Sequence, residues 1–354
     1  MGKPFKKELE IIPHTIQEIN EIDLSNFTSE YQALLTFPLI AVGSGGSLSA
    51  CYFAEALHQQ TGNIAKAITP LEVQSSINIF RKINVLIISA SGKNKDILLA
   101  FNSIIAQEPN KVISISTKEN SPLKTFSAKT SIAENFAFSL SAGKDGFLAS
   151  NSLVAFFILL CRAYGNETKN LKLASKKVYL EDINRFSKSI IKETTYIVLY
   201  SGWSKPVAID IESKFSEAAL GSVLLSDYRN FGHGRHHWFD KRKDNSVIIS
   251  LINPDDEQLA EKTLQLLPKD IPVLKLNSKN SGAFSTIDLL IQSFHLVDNI
   301  GEKQSIDPGR PGVPNYGSKL YNLSYASLLK KINCLIIKRQ LLLHGKFIQY
   351  YLAV

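Results

Sequence analysis

Two short loops in the first half of this chain combine residue types that hold an oxyanion. The first, Gly43-Ser44-Gly45-Gly46-Ser47, follows the apolar run Leu39-Ile40-Ala41-Val42. The second, Ser89-Ala90-Ser91-Gly92, follows Val85-Leu86-Ile87-Ile88 and precedes Lys93 and Asn94. Glycines let the backbone turn tightly and approach a ligand closely. A helix starting near Ser47 would aim its unpaired N–H groups and its positive dipole end at the same spot. Ser89 and Ser91 add hydroxyl donors, and Lys93 and Asn94 stand within reach of an anion. The same residue types also make ordinary turns and helix caps. Two such loops at equivalent strand ends favour an anion site. Neither loop is a nucleotide fingerprint: the third glycine of G-x-G-x-x-G is missing, and no Gly-Lys-Ser/Thr closes a Walker loop.

The elements that must position these loops alternate along the chain. Strand-like runs over 38–42, 65–69, 85–89, 112–117 and 132–138 are separated by helical patterns over 47–60, 96–107 and 148–163. The runs are continuously apolar, the mark of a parallel sheet buried on both faces. Strand–helix alternation of this kind predicts an α/β doubly wound layer structure. The second half repeats the pattern about 160 residues later, the size of one domain. There Tyr196-Ile197-Val198-Leu199-Tyr200 runs into Ser201-Gly202, followed by Val247-Ile248-Ile249-Ser250 and Pro272-Val273-Leu274-Lys275. The expected organisation is a helical segment over 1–35, a first domain over 36–165, a second over 171–305, and a tail with a helix over 306–354. Pro308-Gly309-Arg310-Pro311-Gly312-Val313-Pro314 excludes a regular element there, so this stretch is expected to be laid over something.

Composition narrows the class. A chain of 354 residues suits two domains, and 44% hydrophobic with 20% charged residues suits a soluble globular protein. The longest apolar stretch, from Leu153 to Cys161, is far below the ~20 residues of a membrane helix. No apolar segment follows the charges at the N-terminus, so a secretory signal is not expected. Cys51, Cys161 and Cys334 are scattered without a CxxC pair, which fits a reducing cytoplasm rather than a disulfide framework or zinc ribbon. The net charge of +8 suits either nucleic acid or small anionic substrates. Basic residues are spread along the chain, with one denser stretch from Lys330 to Arg339, and no nucleic-acid-binding module appears, so the second reading is preferred.

Four further stretches complete a pattern. They are Gly143-Lys144-Asp145-Gly146-Phe147-Leu148-Ala149-Ser150, Ala208-Ile209-Asp210-Ile211-Glu212-Ser213-Lys214-Phe215-Ser216-Glu217, Phe231-Gly232-His233-Gly234 and Asn315-Tyr316-Gly317-Ser318-Lys319. With the serine loops, they resemble the sugar isomerase (SIS) domain family over roughly residues 35–325. The resemblance is closest to the tandem-SIS isomerase half of glucosamine–fructose-6-phosphate aminotransferase and to related amino-sugar-phosphate deaminases. It implies two SIS-type αβα sandwiches in tandem, each with a mainly parallel sheet. Gly45, Ser47, Ser89, Ser91 and Asn94 would hold the phosphate, Asn94 standing where the family has Thr. Leu148 and Ser150 would line the sugar. Lys214 and Glu217 fall on the family's catalytic lysine and glutamate. His233, sixteen residues after Glu217, falls on its histidine, and Lys319 on the tail lysine that closes over the sugar. The resemblance further implies a phosphorylated sugar or amino sugar as ligand, no cofactor, and a homodimer whose active sites are shared, the histidine coming from the neighbouring subunit.

The chain departs from that aminotransferase in two ways. It carries no glutaminase domain and no N-terminal cysteine nucleophile, so ammonia from glutamine by that route is not expected. Arg235-His236-His237-Trp238 replaces aliphatic residues after the histidine, which implies a changed pocket and a changed substrate.

The chemistry suits enolisation. Lys214 and Glu217, three apart on a helix, are expected to share one face. Moving a proton between adjacent sugar carbons needs a carboxylate base, the role of Glu217. Ring opening needs a proton shuttle near neutral pH, the role of His233. The enolate needs a nearby cation or donor, Lys319 or Lys214. A Lys–Glu pair at this spacing also occurs on solvated helix faces. His233 and His237 have a metal-ligand spacing of four, but no HExxH glutamate or nearby cysteine completes a set, so no metal is expected. Trp238 and Phe231 are expected to pack. The alternative from another class is a non-catalytic sugar-phosphate-binding regulator.

Overall fold

The structure, a computed structural model, describes residues 2–324; most of the basic helix expected over 320–354, and Cys334, lie outside the described residues. In the first half, β1 (Leu39–Val42), β2 (Ala65–Ile68), β3 (Asn84–Ile88), β4 (Lys111–Ser116) and β5 (Ala133–Ala137) form a parallel sheet in the order β2-β1-β3-β4-β5. In the second half, β6 (Thr195–Tyr200), β7 (Ser222–Asp227), β8 (Ser246–Ile252) and β9 (Val273–Asn277) form another, in the order β7-β6-β8-β9, again all parallel. The chain leaves β1, and likewise β6, to one side and returns on the other. Each sheet therefore has a topological switch point beside its first strand, where α/β proteins bind ligands. β7 is an addition to the sequence expectation. It lies at the sheet edge and buries little, so it lacks the continuous apolar run of its neighbours.

Side chains alternate across both sheets. Leu39, Ala41, Leu86, Ile88, Ile113 and Ile115 of the first sheet share one core with Val198, Val247, Ile249 and Leu274 of the second. Ile40, Val42, Val85 and Ile87 face a separate outer core, as do Ile197, Leu199 and Ile248 on the other side. Both faces of each sheet are thus covered, as parallel sheets require.

Six helices matter for the site: α1 (Phe5–Glu21), α2 (Gly46–Gln59), α3 (Lys95–Ile105), α4 (Asn151–Ala163), α5 (Lys205–Glu217) and α6 (Ala283–Lys303). α4 buries every residue except Arg162, which marks it as a central helix. It starts three residues later than its apolar pattern suggests, because Ser150 leaves helical geometry (φ −132°, ψ −83°). Residues up to Pro311 form one compact unit containing both sheets, and a second unit begins at Gly312. The proline-glycine stretch is laid over the start of the chain: the Phe5 N–H donates to Asp307 Oδ1 at 3.0 Å, and the Phe147 N–H to the Gly309 carbonyl at 3.0 Å.

Candidate functional site

The two serine-glycine loops flank the switch point of the first sheet. Gly46 opens α2 so close to the 143–150 turn that a Cβ on it would stand 2.4 Å from the Ala149 Cβ. Gly92 has φ +58°, and a Cβ on it would meet Ser121 Oγ at 2.6 Å. Both contacts draw the loops against neighbouring turns, and both require glycine. A cleft of about 370 Å³ opens beside the second loop, at the carboxyl ends of β3 and β4; no residue of the first loop lines it, and of the serines and Asn94 expected to hold an anion Ser91 alone does. Ser91, Lys93, Thr117, Lys118, Lys144 and Leu148 contribute to its lining. Three ammonium groups beside a serine loop suit a phosphate ester. Thr117 and Lys118 escaped the sequence reading; their signal is position alone, at the carboxyl end of β4. Lys144 lies inside a quoted stretch to which no anion role was attached.

The other expected anion ligands occupy varied settings. Ser47 lies in the first turn of α2, half-buried, and Ser89 is 5% exposed. Gly45 ends the first loop with φ +55°. Asn94 caps α3, its Oδ1 accepting the N–H groups of Asp96 and Ile97 at 2.9 and 3.1 Å. Its carbonyl oxygen is thus occupied, and only its amide N–H groups can face an anion.

At the wall of the cleft stands a carboxyl pair, Glu8 buried and Asp145 half-buried and lining the cleft. Ser150, expected against the sugar, is fully buried instead. Its hydroxyl lies 2.8 Å from Glu8 Oε2 and 3.2 Å from Asp145 Oδ1. Asp145 also accepts the N–H groups of Ser150, Asn151 and Ser152, and so anchors the start of α4. Burial, with the Asp145 carboxylate beside it, pushes the Glu8 carboxyl up from 4.5 to about 7. A protonated Glu8 bridges to Asp145 through the Ser150 hydroxyl. Ionised Glu8 destabilises the folded state, so its contribution is most favourable below 4.5 and is lost as pH rises to about 7. Glu8→Gln should flatten the fall in stability across that window, measured as the denaturant midpoint on its two sides.

The second half approaches this region through α5. Lys205 at its start pairs with Glu55 of α2 (Nζ–Oε1 3.0 Å), while the Ser49 hydroxyl near the start of α2 lies 3.4 Å from Asp210 Oδ1. The two helices therefore run antiparallel. Glu217, seven residues beyond Asp210, extends about 10 Å further along the axis, past the start of α2 and toward the carboxyl edge of the first sheet. Glu217 is exposed, and its Oε1 accepts from the Ser213 hydroxyl at 2.6 Å.

Lys214 does not share that exposed face. Its side chain is 3% exposed, its Nζ lies 2.6 Å from Asp210 Oδ1 and 4.7 Å from the Phe294 ring centre. Three residues of helix leave a rotation of about 60° between the two side chains, enough to turn one inward and the other out. Asp210 is fully buried; burial holds its carboxyl above the ordinary range against the pull of Lys214, and its Oδ2 has no hydrogen-bond partner.

His233 follows a short helix, Tyr228–Gly232, in a stretch whose residues from Gly232 to Trp238 are all exposed. Neither Glu217 nor His233 lines the phosphate-side cleft within one chain. Lys319 is exposed on the helix Gly317–Tyr321 of the second unit. Among the described residues, no group of three or more His, Cys, Asp or Glu is placed to hold a metal ion, and no helix is long and apolar enough to cross a membrane.

Two doubly wound parallel layers, with a serine- and lysine-lined cleft at the carboxyl edge of the first, have the architecture of SIS-type sandwiches in tandem. No protein-family model and no curated protein matches the chain. Solved structures do. The tagatose-6-phosphate ketose/aldose isomerase of Escherichia coli superposes with a TM-score of 0.66 at 18% identity, covering 89% of this chain and 98% of that one. The C-terminal domain of glucosamine-fructose-6-phosphate aminotransferase from Francisella tularensis gives 0.66 at 18% identity, over 84% and 96%. Glucosamine-6-phosphate deaminase from Thermotoga maritima gives 0.60 at 16% identity, over 86% and 98%. The fold is therefore the one shared by these phosphosugar isomerase and deaminase structures.

Proposed function

We propose that this chain is a phosphosugar isomerase-type enzyme. It either interconverts an aldose and a ketose phosphate or releases the amine of an amino-sugar phosphate after the same proton shift. The observation that carries the reading is the course of α5, which takes Glu217 toward the carboxyl edge of the sheet whose loops form the lysine-serine cleft. The ester anion binds Ser91 and the surrounding ammonium groups, with Ser47, Ser89 and the Asn94 amide contributing donors. His233 moves a proton from the anomeric hydroxyl to the ring oxygen and opens the sugar. Glu217 takes the proton from C2 and returns it to C1, while the proton on the C2 oxygen or nitrogen passes to O1. For an amino sugar, the shift leaves an imine at C2, which water hydrolyses to the ketone and ammonia. Lys319 donates to the oxygen that gains charge.

The exposed His233 stretch supports a homodimer in which each subunit lends its histidine to the other. The reaction needs no cofactor, and a cytoplasmic location follows from the class of substrate. The alternative, a sugar-phosphate-binding regulator without turnover, is favoured by one observation: Lys214 is committed to Asp210. A panel of hexose and hexosamine phosphates, followed for ketose formation and ammonia release, separates the two. Binding without either product would select the regulator. Ser91→Ala should weaken binding of phosphorylated ligands about ten- to a hundredfold, the worth of one hydrogen bond to a charged group, as measured by titration calorimetry.

A further inference from the structure

The duplication gives the region between the start of α2 and the end of α5 a counterpart. β1 ends at Val42 and β6 at Tyr200; α2 begins at Gly46 and α5 at Lys205. Exchanging the two antiparallel helices carries the region of Ser47 and Glu217 onto the region of Lys205 and Gln59. A separate cavity of about 220 Å³ lies there, lined by Tyr52, Glu55, Gln59, Tyr200, Trp203 and Lys205 among others.

This second cavity lacks what suits a phosphate. Where the first half has Ser89-Ala90-Ser91-Gly92 after its switch-point strand, the second has Asn253-Pro254-Asp255-Asp256. Asp256 stands beside Gly202, its Oδ2 3.8 Å from where a Cβ would lie. The single ammonium, Lys205, is neutralised by Glu55 and lies 4.8 Å from the Tyr52 ring centre. Glu55 is itself fixed, since its Oε2 accepts the Ala67 N–H at 2.6 Å. What remains is three partly exposed aromatic side chains with a carboxylate, an ammonium and two amides, Gln59 and Gln60, at their edge. Aromatic faces take the C–H face of a sugar ring, while such polar groups exchange hydrogen bonds with its hydroxyls.

We propose that the cleft between Trp203 and α2 binds an unphosphorylated hexose or hexosamine, at a site separate from the phosphate-side cleft. The inference rests on the duplication and on this cavity, and stands apart from the reaction proposed above.

Trp203 and Trp238 are the two tryptophans of the chain. In Trp238→Phe protein, emission therefore reports Trp203 alone. Titration with glucose and with glucosamine should give a saturable change in that emission, at least about tenfold tighter than any response to glucosamine 6-phosphate. The response should survive Ser91→Ala. It should weaken about tenfold or more in Gln59→Ala, an exposed change at the rim, and in Glu55→Gln, both with unaltered far-ultraviolet circular dichroism. No saturable change with either sugar below about 100 mM would overturn the proposal. So would a response matched by the phosphorylated sugar and removed by Ser91→Ala, which would assign it to the other cleft.

Discussion

Glu217→Gln should lower turnover by about 10²–10⁴-fold, the usual contribution of a positioned acid–base group, while leaving affinity for the sugar phosphate nearly unchanged. The amide keeps the size and polarity of the carboxylate but cannot accept the C2 proton. Glu217 is exposed at the end of α5, with the Ser213 hydroxyl as its bonded neighbour, so the fold does not depend on its charge. A loss of kcat without a change in melting temperature or in ligand affinity is the expected pattern. Equal loss of binding would move Glu217 from the chemistry to the recognition of the sugar.

The second large effect is on stability. Asp210→Ala should destabilise the protein by about 3–5 kcal/mol, because it leaves the Lys214 ammonium buried and unpaired. Asp210 touches Ser49 of the first half, and Lys214 lies over Phe294 of α6 within the second. The two single changes should differ in pH dependence. After Asp210→Ala, the pair holds no carboxyl that acid could neutralise, so the deficit persists as pH falls. After Lys214→Met, the stranded carboxyl takes up a proton as pH falls, so the deficit shrinks toward acid pH. Denaturant midpoints of both variants across the pH range test the pair. Parallel deficits at all pH values would mean that the loss is one of packing rather than charge.

The central strands β1, β3 and β8 were legible because burial on both faces leaves them apolar at most positions. β7 was not, since its apolar run is only Val223-Leu224-Leu225, set between serines and ending in Asp227. The serine-glycine loops were legible from residue type and strand end. Lys118 and Thr117 were not, because a loop becomes part of a cleft through strand order, and that order follows from three-dimensional pairing. The link from Glu8 to Asp145 through Ser150 spans most of the first half of the chain, and nothing local marks it. Lys214 shows a further limit. Its spacing from Glu217 is compatible with a shared face, yet the burial of Asp210 one turn earlier draws the ammonium inward. The Ser150 hydroxyl is likewise committed to the carboxyls of Glu8 and Asp145. Resemblance places residues along the chain; the partners that claim them come from packing.

The most direct test is solvent exchange at the sugar carbons. The protein is incubated in deuterium oxide with hexose and hexosamine 6-phosphates, and the recovered sugars are examined by nuclear magnetic resonance. The account predicts deuterium at C1 or C2 of at least one phosphosugar with the unaltered chain, and none with Glu217→Gln, although both bind that ligand. Exchange that persists in Glu217→Gln, or a bound phosphosugar whose C1 and C2 protons never exchange, would contradict it.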